Sequence, residues 1–153
     1  MVPGRVQRLN SAGFSLAELV VILAVVGILA ALGMPYALSY LQNAKVKAGA
    51  QELATVISGG RQLAIARNTN VCVSITATAA VYRTGVSAAC AGGQLFVGTG
   101  TRADGSIPLT NNIAITGTTA NVVFSPLGAA LTAGTYTVHN PQGAADRQVV
   151  VSA

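Results

Sequence analysis

Four carboxylates, nine Lys and Arg side chains, two cysteines and a single histidine are what this 153-residue chain offers for ionic or covalent chemistry. Charged residues make up 8% of it, against a usual share of about 25%. His139 stands in the strand-like stretch TYTVHN beside Asn140. No Ser/His/Asp or Cys/His constellation converges on it, and a base without a nucleophile performs no acyl transfer. Asp104 and Asp146 fall in loop-like segments and read as turn residues. Seventeen residues separate Cys72 from Cys90, with no histidine nearby, which is not a zinc spacing. The segment GTGTRADG lacks the strand–helix context that would turn its glycines into a phosphate cradle. Catalysis, a metal site and a cofactor are therefore not expected.

One carboxylate does demand an explanation. Glu18 lies at the start of GFSLAELVVILAVVGILAALGMP, and no further charge follows it until Lys45. An acidic residue at a bilayer centre costs about 2.5–3.5 kcal/mol even on lenient scales. Leu19 to Leu38 supplies the roughly 20 apolar residues that span a bilayer, with Pro35 inside the run. Arg5 and Arg8 precede it and predict a cytoplasmic N-terminus; Lys45 and Lys47 beyond it weaken that bias slightly. An ordinary secretory signal carries its small-residue cleavage site after the apolar core. Here the segment after the core is a poor candidate, and the small residue, Gly13, stands before it.

That stretch closely resembles the class III signal of type IV prepilins and type II secretion pseudopilins: Gly13, Phe14, Ser15, Leu16 and Glu18, then an apolar run ending near Pro35. The resemblance implies cleavage between Gly13 and Phe14 by prepilin peptidase, N-methylation of Phe14, and retention of the apolar segment as an assembly helix. It also implies a role for Glu18. As the fifth residue of the mature chain it would meet the Phe14 amine of a neighbouring subunit in the filament core, where a buried charge is tolerated only when paired.

The elements that must position these residues follow from periodicity. Good helix formers run from Ala17 to about Asn68, a span of roughly 75–80 Å at 1.5 Å per residue. Pro35 lacks an N–H and should kink or loosen the helix near Gly33. In the second half Leu53, Val56, Ile57, Gly60 and Ala64 repeat at helical spacing and should pack on a sheet, while Gln51, Glu52, Arg61 and Gln62 face water. RNTN, residues 67–70, ends the helix. Beyond it the period becomes two, with strands expected at 71–76, 80–84, 94–98, 112–117, 121–125, 135–140 and 147–152, and a loop at 98–106. The expected fold is α+β, a long helix packed on an antiparallel head. GGRQLAIARNTNVCVSI and VVFSPLGAALTAGTYTV are similar to the GspH/FimT group of minor pilins and pseudopilins. The resulting division is a leader at 1–13, an apolar membrane and assembly helix at 14–41, and a periplasmic head at 42–153.

With the head in an oxidising compartment, Cys72 and Cys90 become a disulfide pair or remain two thiols. The resemblance implies a single-pass bacterial inner-membrane protein whose partners are prepilin peptidase and other pilins. It would insert into, or prime, a type II secretion pseudopilus or a type IV pilus. A second class is a displayed DNA-binding module for natural transformation, with Arg83, Arg102 and Arg147 as phosphate contacts. Against it, the net charge from Phe14 onward is only +3, from seven basic and four acidic residues. The Gly-Arg-rich C-terminus of the DNA-uptake branch is also missing from RQVVVSA.

Overall fold

The computed structural model describes residues 14–109, 113–141, 143 and 145–153. Arg5, Arg8, Gly13 and Asn112 lie outside the described residues. Among the described residues one helix, α1 (Leu16–Arg67, 52 residues), is followed by eight short strands. Glu18 occupies the first turn of α1, where a negative charge faces the positive end of the helix dipole. Helical backbone continues unbroken through Gly33 and Pro35. It ends where Asn68 takes a left-handed conformation, φ 48°, so that the Thr69 N–H reaches the Ala64 carbonyl at 3.2 Å.

The chain divides into two units, Met1–Leu38 and Ser39–Ala153. In the first, every described residue is exposed and nearly all are apolar, from Phe14 (72%) and Leu16 (81%) onward. Exposure continues to Leu41, and Gln42 is the first residue to be partly covered.

The second unit contains two antiparallel sheets. In the five-stranded sheet, β1 (Val71–Ile75) lies between β2 (Ala79–Thr84) and β6 (Asn121–Phe124). Both β3 (Gln94–Leu95) and β4 (Ser106–Pro108) pair with the outer side of β2. In the three-stranded sheet, β7 (Gly134–His139) lies between β5 (Ala114–Gly117) and β8 (Arg147–Val151). Two expectations need correction. The strand expected over 94–98 pairs only at Gln94 and Leu95. The loop expected over 98–106 gives way at Ser106 to β4, which the alternation of residue types does not announce because it is three residues long and ends in Pro108. Proline cannot donate to a ladder and is tolerated only at an edge such as this.

One core joins both sheets to the second half of α1. The predicted stripe of Leu53, Val56, Ile57, Gly60 and Ala64 is buried and extends back through Gly49 to Val46. Against it pack Val71, Val73 and Ile75 of β1, Tyr82 of β2, Val122 and Phe124 of β6, Ile115 of β5, and Tyr136 and Val138 of β7. Glycine lets the backbones approach. A Cβ at Gly60 would overlap Val73 Cγ2, and one at Gly49 would overlap Ile113 Cδ1. Each helical glycine costs about 0.5–1 kcal/mol relative to alanine, which close packing here must offset. The Tyr82 hydroxyl donates to the Val56 carbonyl of α1 at 2.5 Å. A Cβ at Gly59 would come within 2.8 Å of that hydroxyl.

Burial pushes the Tyr82 phenol up to about 12. An unfolded tyrosine ionises near 10, so the folded group holds its proton longer. Its contribution to stability is full below about pH 10 and is lost as pH rises through about 12. Phenolate absorbance of the full chain in detergent should show one tyrosine titrating last, and Tyr82→Phe should remove that late step alone.

Candidate functional site

The residues singled out in the sequence fall into three regions. Phe14 and Glu18 lie at the start of the exposed apolar segment, together with Gly33 and Pro35 further along it. Glu18 is the only charged residue among those described in the unit that ends at Leu38. Gly13, which precedes Phe14 at the expected cleavage, lies outside the described residues.

The second region is the face of the five-stranded sheet turned away from α1. Alternation places Cys72 there, while its neighbours Val71 and Val73 face the helix. The loop after β2 folds back over this face through left-handed Gly85, Cys90, Gly92 and Gly93. Cys90 has φ 60°, a conformation that a side chain with a Cβ seldom adopts. Cys72 and Cys90 are bonded, with Cα atoms 5.5 Å apart. Val86 and Val123 cover the bond and complete a small second core. Ser74 Oγ lies 3.7 Å from Cys72 Sγ and 4.0 Å from Cys90 Sγ.

The third region is the basic side chains, which the structure distributes rather than gathers. Arg83 is exposed on β2, directly across from Cys72 on one side and Leu95 on the other. Arg102 is exposed in the turn before β4, its N–H donating to the Ser106 carbonyl at 2.8 Å. Arg147 opens β8 in the other sheet. It shares its surroundings with Lys47 of α1, a neighbour one hundred residues away in the chain that sequence spacing gave no means of finding. Arg67, at the end of α1, places its guanidinium 5.3 Å from the centre of the Phe96 ring, a cation–π contact.

Asp104 is a turn residue. Its Oδ1 accepts the Ser106 hydroxyl at 2.7 Å and the Ser106 N–H at 3.0 Å, and these bonds hold its carboxyl below the usual carboxylate range. His139 ends β7 opposite Ala114, half-buried. Among the described residues no cluster of three His, Cys, Asp or Glu is placed to hold a metal ion. A hollow of about 460 Å³ lies between α1 and the strands β2 and β4. Its walls are Val56, Leu63, Ala66, Tyr82, Phe96 and Ile107, and its one titratable group is the Tyr82 hydroxyl already committed to the Val56 carbonyl. These arrangements suit packing and display more than bond-making.

The disulfide yields a measurable expectation. Closing a loop of this length removes about 3 kcal/mol of unfolded-state freedom. Replacing Cys72 and Cys90 together by alanine should lower the denaturation free energy of the chain by that order. Non-reducing peptide mapping of protein recovered from the cell envelope should find the two cysteines linked; free thiols there would contradict it.

Comparison with known proteins agrees with this picture. A family model described as Type II transport protein GspH matches residues 49–153, two-thirds of the chain. The crystal structure of the type IV minor pilin FimU of Pseudomonas aeruginosa (strain PAO1) superposes with a TM-score of 0.52 at 13% sequence identity. That match covers 74% of this chain and 86% of the other, and at so low an identity it speaks for the fold. No curated protein matches significantly. With its family model spanning the α1 stripe and both sheets, and with the fold of a type IV pilin, the chain belongs to the GspH family within the type IV pilin and pseudopilin superfamily.

Proposed function

We propose that this minor pilin or pseudopilin is made as a precursor, cut by prepilin peptidase between Gly13 and Phe14 and N-methylated on Phe14. Residues 14–41 then anchor it in the bacterial inner membrane by a single pass, N-terminus cytoplasmic, with the head from residue 42 to 153 in the periplasm. From there it enters, or primes, a secretion pseudopilus or a type IV pilus, and it performs no catalysis.

The observation that carries this reading is the unbroken exposure of the apolar segment from Phe14 to Leu41. Covering a Val, Leu or Ile side chain contributes about 1.5–3 kcal/mol. Soluble monomers rarely expose apolar patches above a few hundred Å². The helix is long and apolar enough to cross a bilayer, and the same surface suits the core of a filament. A segment that must leave lipid for a filament needs an apolar surface acceptable to both, plus one feature that distinguishes them. Glu18 is that feature. In lipid it stays near the interface; in the filament it meets the positive terminal amine of a neighbour, and removing one partner of a buried pair costs about 3–5 kcal/mol.

Two measurements test this. Mass spectrometry of the mature protein should find methylated Phe14 as the first residue; a chain still beginning at Met1 would overturn the assignment. Glu18→Gln keeps shape and loses charge. It should reach the membrane and be cleaved as the wild type is, yet be recovered poorly in sheared filaments, and unchanged incorporation would mean that pairing does not govern assembly.

A further inference from the structure

Lys47 and Arg147 together line two adjoining clefts on the head. One, of about 180 Å³, is shared with Tyr40, Asn43 and Ala44. The other, of about 330 Å³, is shared with Ala50, Ala54 and Val149 among others. The two cations thus stand between the clefts, both exposed to solvent. Among the described residues no carboxylate lines either cleft, Asp146 beside Arg147 in the chain being exposed outside both. The start of β8 is tied to the helix where the Ala145 N–H donates to Asn43 Oδ1 at 3.4 Å, which brings Arg147 to the level of Lys47.

That level matters. Lys47 follows the last residue of the fully exposed apolar run, Leu41, by six residues, or about 9 Å along a helix. A bilayer has a hydrocarbon core of about 30 Å inside a total of about 40–45 Å. That leaves about 5–7.5 Å of headgroup on each side, so a helix that ends its apolar run at the hydrocarbon edge carries the Lys47 backbone just past the phosphates, and its side chain, which leans toward the helix N-terminus, reaches back to them. Tyr40, 73% exposed, stands at the boundary where tyrosine is enriched in membrane proteins. Positive charge on this side of a span runs against the usual distribution, so its convergence from two elements calls for a ligand.

We infer that Lys47 and Arg147 form a site for the phosphate of an anionic phospholipid in the outer leaflet of the inner membrane. This rests on the membrane reading above. Arg147 presents a planar fork of donors and Lys47 a compact point charge. Tyr40 and Asn43 offer neutral polar groups for the rest of the headgroup. The bound lipid holds the head at a fixed height before assembly and is released when the subunit leaves the bilayer. Duplex DNA fits these residues less well, because it would have to lie against anionic headgroups to reach them.

The test uses the full chain in mild detergent, titrated with phosphatidylglycerol or phosphatidylcholine and read by native mass spectrometry. Phosphatidylglycerol should be retained preferentially, and excess inorganic phosphate should not displace it. Each basic side chain near an anionic surface is worth about fivefold in affinity, so Lys47→Gln with Arg147→Gln should weaken retention about 25-fold. Arg147→Lys should keep most of it, and Arg83→Gln, in the other sheet, all of it. Equal retention of the two lipids, or unchanged retention in the double variant, would overturn the site. So would displacement of the lipid by duplex DNA through the same two residues. Flotation of the wild-type chain with liposomes separates the two levels of failure. A chain that floats but ignores lipid charge refutes the site alone, whereas one that does not float refutes the membrane reading and the site with it.

Discussion

Where α1 meets the two sheets, no side chain intervenes at two points. Gly49 faces Ile113, and Gly60 faces Val73. The spacing of eleven residues is close to three helical turns, which puts both on the same buried stripe with Leu53, Val56, Ile57 and Ala64. The rest of the head depends on this close approach. It brings Tyr82 near enough to donate to a helix carbonyl, and it lets strands from both sheets share a single core with one helix. A chain without tryptophan and with 5% aromatic residues has little bulk to fill gaps, so short distances must do what large side chains do elsewhere.

The same sheet works on both faces. Along β1, Val71, Val73 and Ile75 meet the helix, while Cys72 meets Val86, Val123 and Cys90. A strand buried on both sides is the natural centre of its sheet, and β1 lies between β2 and β6. The helix and the cystine loop therefore clamp one strand from opposite directions. In the three-stranded sheet only one face is buried. The other carries Thr116, Thr118, Thr135, Thr137 and Gln148, which line a hollow on it.

Most of this architecture was legible because it rests on short-range regularities. The helical stripe, the change to period two at Val71 and the alternation in β1 each occupy a few consecutive residues, and each was found where expected. The prepilin-like segment is read on a different basis, the order of residues along the chain, and Gly13 at its start lies outside the described residues. What escaped were features decided by tertiary contact. Three-residue β4 has too few positions to display a period and exists because β2 offers an open edge. The Tyr82–Val56 bond joins residues 26 apart, and nothing in either residue type announces it. In the sequence Arg83, Arg102 and Arg147 form one set of candidate phosphate contacts, but the fold places Arg147 beside Lys47 instead.

A filament subunit is also a mechanical part, and the cystine has a mechanical meaning. Its two cysteines stand eighteen positions apart in the chain, and at about 3.4 Å per extended residue that stretch holds roughly 60 Å in reserve. If tension opened the head, that length could not be drawn out while the bond lasts, because load would pass from β1 to the segment after Cys90 through the sulfurs. The protected stretch contains all of β2, the strand to which β1, β3 and β4 are each paired. An oxidised head therefore has a lower ceiling on its extension than a reduced one, and the part it cannot yield is the middle of its larger sheet.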